Sequence, residues 1–224
     1  MESPANAGPK WTDPNLNAGW SGSMIEINGV KGFLLPGDME LLAYYASILP
    51  INAQIAEIGS FLGLSSLIMA RSLFFSGKYG VKIFCIDTWE GSFEHQSMEI
   101  VASGKLYDTY MHNISESGLA AYFVPMRKDS VKASGDFADR SLDLIFIDGD
   151  HSFEGCFADL VAWYPKLKPG GIFLGHDCEH GVRTAVEKFL ERKELTFTLL
   201  GVPPYSNFLY KVDERNATLH RKNP

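Results

Sequence analysis

The stretch FIDGDHSFEG (146–155) sets Asp148, Asp150 and His151 within four positions, directly after an apolar run. Two carboxylates and an imidazole so spaced can grip a metal, move a proton, or simply end a strand and begin a helix. Asp150 fits the last of these tasks. It stands just ahead of a helix that begins near Phe153, where an N-cap is needed, and Glu154 falls in that helix's first turn. His151 is the leading candidate for a base, because an imidazole ordinarily titrates near neutrality.

Further polar groups stand at the ends of other apolar runs. Glu57-Ile-Gly59-Ser60-Phe61-Leu62-Gly63 closes the run AQIAEIG (53–59), Asp87-Thr88-Trp89 closes KIFCIDTW (82–89), Asp129-Ser130 follows AYFVPM (121–126), and His176-Asp177 closes GIFLGHD (171–177). With Asp148 that makes five polar clusters at five successive strand ends.

These runs alternate with segments of helical spacing at 64–74, 105–118, 153–167 and 182–195. A further helix from Asp38, serving as its cap, carries Met39, Leu41, Leu42, Tyr45, Ile48 and Leu49 inward and stops at Pro50. Continuous apolar strands separated by helices predict an α/β fold with a parallel sheet covered on both faces. TFTLLGV and NFLYKV, separated by PPYS, add a closing antiparallel pair. In such a sheet, ligands bind outside the carboxyl ends of the strands, which is where all five clusters fall.

A glycine directly after the first of these strands permits a sharp turn and close approach of a ligand. The spacing here is G-x-x-x-G rather than the G-x-G-x-x-G that cradles a pyrophosphate, and the Glu57 carboxylate would repel phosphate while suiting a cationic ligand end. Asp87, at the end of the next strand, is placed to accept from a ribose diol. Trp89 can stack on an adenine or shield it.

The segments IAEIGSFLG, CIDTW, KDS, LIFIDGDHSFE and LKPGGIFLGHD, closed by a hairpin, resemble the class I S-adenosylmethionine-dependent methyltransferases, and more narrowly the methyltransferase-24 group, which includes small-molecule O-methyltransferases. The resemblance covers about residues 36 to 212. It implies a doubly wound, Rossmann-like seven-stranded sheet of order 3-2-1-4-5-7-6. It also implies S-adenosyl-L-methionine as cofactor, held by Glu57, Gly59, Ser60, Gly63, Ser65, Asp87, Thr88, Trp89, Asp129, Ser130 and Asp148. Within that set Glu57 supports the glycine loop or meets the cofactor's ammonium, Asp87 holds the ribose, and Asp129 and Ser130 meet the adenine edge. Catechol O-methyltransferase and its metal-dependent relatives hold Mg²⁺ at positions matching Asp148, His176 and Asp177. His176 stands where those enzymes have an acid, which favours Mn²⁺, Fe²⁺ or Zn²⁺ over Mg²⁺. His151, Asp148 and His176 are then the candidate catalytic groups, with His151 as base and His176 its competitor.

The chain of 224 residues, 46% hydrophobic, is long enough for one buried core. It divides into an N-terminal arm (1–35, partly irregular, with Trp11 and Trp20), the domain itself (36–213) and a tail (214–224). A net charge of −7 without any basic stripe argues against nucleic-acid binding. No stretch approaches a membrane span, no leader is evident, and the three scattered cysteines suit a reducing cytoplasm. The expected partner is a small-molecule substrate, aromatic or otherwise apolar, to judge from Trp11, Trp20, Trp89, Phe93, Met98 and Tyr205; a homodimer through the arm or an exposed helix is also expected. Two alternatives stand beside the methyltransferase reading: an NAD(P)-dependent oxidoreductase on a related sheet, and a non-catalytic cofactor-binding protein of the same fold.

Overall fold

The computed structural model describes residues 24–92, 95–178, 180–193, 195–200 and 209–214. Trp11, Trp20, Phe93, Tyr205 and nearly all of the tail lie outside the described residues. The chain opens with a hairpin of β1 (Ile25–Ile27) and β2 (Val30–Gly32), followed by α1 (Pro36–Ser47). Strands and helices then alternate: β3 (Gln54–Ile58), α2 (Leu64–Phe75), β4 (Lys82–Asp87), α3 (Glu99–Ala102), α4 (Leu106–Glu116), β5 (Phe123–Arg127) and α5 (Ser130–Ser134). The second half runs β6 (Leu142–Ile147), α6 (Phe153–Trp163), β7 (Leu167–Gly175), α7 (His180–Lys193), β8 (Leu195–Leu200) and β9 (Leu209–Glu214).

Seven strands form one sheet in the order β5-β4-β3-β6-β7-β9-β8, which counted within the sheet is 3-2-1-4-5-7-6. β3 to β7 pair in parallel, and β9 runs antiparallel to both β7 and β8. From β3 the chain winds one way through β4 and β5, then returns to lay β6 on the other side of β3. The switch point therefore lies between β3 and β6, and a crevice opens there at the carboxyl ends.

Strand alternation divides the core into two layers. On one face Ile55, Ile83, Leu144 and Phe146 pack with Leu42, Ile68, Met69 and Leu73 of α1 and α2. On the other, Ala56, Ile58, Ile86, Ile145 and Ile147 pack with Leu160, Trp163, Val186 and Phe189 of α6 and α7. Leu142 and Leu144 share a parity yet serve opposite layers, and between them the β6–β7 ladder shifts register, Leu142 facing Leu167 and Leu144 facing Ile172.

The structure adds one element to the sequence expectation and departs from it in two details. Within the arm expected to be partly irregular, residues 25–32 form a hairpin because Asn28 and Gly29 both take positive φ (51° and 83°), the requirement of a type I′ turn. Asp38 does not cap α1: Leu35 holds that position, Pro36 opens the helix, and Asp38 reaches back from the first turn to accept the Leu35 N–H at 3.1 Å. Ile48, expected inside, is half exposed.

Candidate active site

The parallel ladder sets the polar strand ends side by side. The Gly59 N–H donates to the Ile86 carbonyl, Asp148 N–H to Ile58, and His176 N–H to Ile147, at 2.8–2.9 Å. Asp87, Gly59, Asp148 and His176 are thereby aligned along one edge of the sheet. Asp87, Gly59 and Asp148 border a cavity of about 770 Å³, lined also by Ser60, Ser65, Thr88, Asp129, Ser130, His151 and Asp177, among others; His176 does not line it.

Gly59 has φ 88°, and a Cβ there would lie 1.9 Å from the Asp148 carbonyl oxygen. Only glycine lets the loop after β3 touch the loop after β6. Gly63 (φ 90°) turns the same loop into α2 but does not border the cavity. Nor does Glu57, which is fully buried and accepts from Ser60 Oγ (2.7 Å), Ser65 Oγ (2.6 Å) and Ser66 Oγ. Burial raises its pKa despite those hydroxyls. Of the two tasks expected of Glu57, it is therefore the support of the loop that the geometry allows; the carboxylate does not face a ligand's ammonium.

Asp87 uses both oxygens on backbone: Oδ2 accepts the Phe61 N–H at 2.8 Å and Oδ1 the Trp89 N–H at 2.7 Å. Desolvation nonetheless raises its pKa. Trp89 is drawn into the core, packed on Tyr107 and Tyr110, with its Nε1 donating to the Phe61 carbonyl at 2.8 Å. Of the two tasks open to Trp89, stacking on an adenine is the one the geometry does not allow: the indole N–H is spent internally and the ring does not border the cavity.

At the far end of the cavity Asp129 caps α5, its Oδ1 accepting from Lys132 N–H at 3.0 Å, while Ser130 Oγ donates to Asp159. Asp159 was not singled out in the sequence, yet a signal existed. Cys156, Leu160 and Trp163 form the buried stripe of α6, and Asp159 lies on that stripe at helical spacing. Burial, aided by Asp129 and Asp150, pushes its pKa to about 6.

The densest cluster stands beyond β6 and β7. His151 Nε2 lies 3.1 Å from Asp177 and 3.6 Å from Asp148; His176 Nδ1 lies 3.3 Å from Asp177 and 3.5 Å from Asp148. Behind them, His176 Nε2 meets Asp38 Oδ2 at 3.3 Å, both side chains being buried. Asp38 is a site residue that the sequence presents only as a helix-end acid. Burial pulls the His151 pKa down, but the two carboxylates outweigh it and hold the imidazole at about 11. The same balance holds His176 protonated, and both imidazoles keep Asp148 and Asp177 below the usual carboxylate range. Without a competitor for these carboxylates His151 does not titrate near neutrality as expected.

Asp148, His151 and Asp177 bring one ligand atom each to within 4.8 Å of one another, a donor set able to hold a divalent ion. This differs from the expected trio: His176 lies behind the cavity wall with its Nε2 turned to Asp38, and His151 takes the third place. Asp150 accepts the Ser152 N–H at 2.8 Å, and Ser152, not Asp150, caps α6 through the Gly155 N–H. Asp177 (φ 49°), Phe61 (φ 45°) and Trp89 (φ 52°) are three of the six described non-glycine residues with left-handed backbone. Such strain concentrates at functional sites, which is where these three sit.

The profile of a methyltransferase domain, the methyltransferase-24 type, matches residues 56–178, more than half of the chain and all five strand-end clusters. The chain belongs to the methyltransferase-24 family. It is a class I methyltransferase domain of the type that uses S-adenosylmethionine, and the match displaces the oxidoreductase alternative. A curated relative, the uncharacterized protein y4gI of Sinorhizobium fredii, is 31% identical over 127 residues, 56% of this chain. This methyltransferase domain spans 13% of that protein's length. Among solved structures, a SAM-dependent O-methyltransferase of Thermotoga maritima aligns with TM-score 0.57 and 15% identity over 86% of this chain and 77% of its own. A precorrin 8W decarboxylase of Methanobacterium thermoautotrophicum aligns with TM-score 0.56 and 17% identity over 84% and 94%. These likenesses show the fold; two differently named enzymes on it leave the acceptor to be argued from the site.

Proposed function

We propose that this methyltransferase domain methylates a hydroxyl of a small molecule, with His151 as the group that takes the hydroxyl proton and with a divalent cation on Asp148 and Asp177. The observation that carries the proposal is the Asp148–His151–Asp177 cluster facing the same cavity as the Gly59 loop and Asp87. S-adenosylmethionine, when bound, supplies a methyl group on a sulfonium. The chain's acid-rich cavity suits that cation, Asp87 has lone pairs left for a ribose diol, and Asp129 and Ser130 border the opposite end.

Two carboxylates alone fit a hard divalent metal such as Mg²⁺ or Mn²⁺, and adding the His151 imidazole as a third ligand would shift the preference toward Mn²⁺ or Fe²⁺. A divalent cation held by Asp148 and Asp177 would supply Lewis acidity to an acceptor hydroxyl, and with their charge neutralised the two carboxylates would no longer keep the His151 proton in place. His151 can then accept a proton at Nε2, while His176, backed by Asp38, holds Asp148 and Asp177 from behind. The compactness of the cluster also favours a second reading, in which His151 is itself the third ligand.

One experiment separates these. His151→Gln is assayed for turnover on a hydroxyl-acceptor panel and for Mn²⁺ affinity by calorimetry. Lost turnover with unchanged Mn²⁺ affinity marks His151 as the base; a parallel loss of both marks it as a ligand. Full activity of the wild-type protein after exhaustive chelation overturns the metal, and unchanged turnover in the variant overturns both roles.

A further inference from the structure

Phe61 is the one residue in the glycine loop whose conformation the local sequence does not favour. Its φ of 45° is sustained from both sides: its N–H donates to Asp87 Oδ2 and its carbonyl accepts from Trp89 Nε1, each at 2.8 Å. A bulky residue held in left-handed backbone by two buried partners has its ring aimed rather than left to choose. That ring meets Phe33, just beyond β2, at 5.9 Å between centroids, and His95, in the segment before α3, at 5.2 Å. Phe33 and His95 stack at 5.4 Å with an 8° angle, and His95 Nδ1 is paired with Ser92 Oγ at 2.9 Å. All three rings border the cavity, and Phe33 is 36% exposed. Three chain segments far apart in sequence thus converge on one aromatic wall, in the same cavity as Asp148, His151 and Asp177.

We propose that Phe33, Phe61 and His95 form the platform on which the methyl acceptor lies, and that the acceptor is a hydroxylated ring with a flat apolar face. This rests on the reading of the cavity as a hydroxyl-methylating site. A phenol offers such a face through its π system and a pyranose through its C–H bonds; stacked rings accept both. The polar wall at Asp148, His151 and Asp177 then receives the hydroxyl edge. Phe33 and His95 are specificity residues, and Phe61, fixed by Asp87 and Trp89, sets their spacing.

The test uses binding, so that it does not depend on turnover. The full chain, with S-adenosylhomocysteine, is titrated calorimetrically with catechol, methyl glucopyranoside and the acyclic 1,2-butanediol. One of the two ring probes binds at least about 10-fold more tightly than the diol, and which one identifies the source of the ring. Phe33→Leu and His95→Ala each weaken that ring by about 3- to 10-fold, the worth of a stacked pair, with affinity for S-adenosylhomocysteine within about twofold of wild type. Three results overturn the platform: the diol binding as tightly as both rings, ring affinity unchanged in both variants, or S-adenosylhomocysteine affinity falling in step with it, which would assign the rings to the cofactor. Ring binding without methyl transfer to any hydroxyl refutes the proposed function and leaves the platform standing. If wild type does not bind S-adenosylhomocysteine, the same probes titrated alone decide the platform.

Discussion

Replacing Asp159 by asparagine stabilises the protein above about pH 6 and changes its pH dependence in a calculable way. Asp159 is 3% exposed, accepts a hydrogen bond from the Ser130 hydroxyl, and Asp129 and Asp150 press on it with like charge. Its pKa rises from an ordinary 3.8 to about 6. Between those values the unfolded chain gives up a proton that the folded chain retains, so stability falls as pH rises through this window. Above about pH 6 the folded carboxyl ionises too, and the penalty becomes constant. About two pH units at ~1.4 kcal/mol each amount to ~3 kcal/mol, set by desolvation first and by the Asp129 and Asp150 charges after it. Asparagine keeps an oxygen for Ser130 Oγ and cannot ionise. Urea unfolding of both proteins, free of ligand, at four pH values from about 4 to 7.5 measures the difference, with m checked for constancy. The stability difference between variant and wild type grows by ~2.5 kcal/mol over that range, most of the full ~3 kcal/mol because the unfolded carboxyl is already half ionised near pH 4, and equivalent to roughly 5–10 °C in Tm. A pH-independent offset from the substitution does not matter. A difference that stays flat from pH 4 to about 7.5 refutes the claim that this carboxyl is held protonated in the fold.

Three other perturbations probe the cluster and the loops. Gly59→Ala sets a Cβ 1.9 Å from the Asp148 carbonyl at φ 88°, so it costs more than ~2 kcal/mol in denaturant unfolding and weakens S-adenosylmethionine binding; wild-type values for both would show that the two loops are not in contact. His151→Gln lowers turnover by roughly 10²- to 10⁴-fold, the usual worth of a general base, with S-adenosylmethionine affinity retained, and a steady-state assay with calorimetry tells whether both halves hold. Asp38→Ala leaves His176 buried without its rear carboxylate and costs ~3–5 kcal/mol by unfolding; combined with His176→Leu in a double-mutant cycle, the pair shows a coupling above ~1 kcal/mol, and strict additivity would deny the contact.

The parts legible in the sequence are those carried by local pattern. Runs such as LDLIFI and GIFLG declare themselves as buried parallel strands because both faces are apolar, and the polar residue ending each run is then placed by sheet geometry alone. That is why Gly59, Asp87, Asp148 and Asp177 fall where the spacing puts them. The hairpin at 25–32 was legible too, through Asn28-Gly29, but two three-residue strands are too short to show alternation. What local pattern does not carry is which way a strand-end side chain turns. Adjacent residues at the end of β7 diverge: Asp177, at positive φ, faces the cavity, whereas His176 turns back to Asp38, 138 positions away. Trp89 reads as a free aromatic until its indole meets the Phe61 carbonyl, 28 positions earlier. Phe33, Phe61 and His95 have no spacing in common and become a set only when three loops converge.

Asp87 has a consequence that reaches beyond its own pocket. Both of its oxygens already hold backbone amides, so its position is settled during folding and no ordering cost falls on the arrival of a ribose. One of those amides belongs to Phe61, which sets the ring wall. A ligand that draws on Asp87 therefore draws on the bond that aims Phe61, and such energetic coupling is equal in both directions. Whatever factor the cofactor adds to acceptor affinity through this carboxylate, the acceptor returns to the cofactor. The carboxylate thus joins the two ends of the cavity without setting which ligand binds first: a partner that draws on Asp87 is felt at Phe61, and one that presses on Phe61 is felt at Asp87.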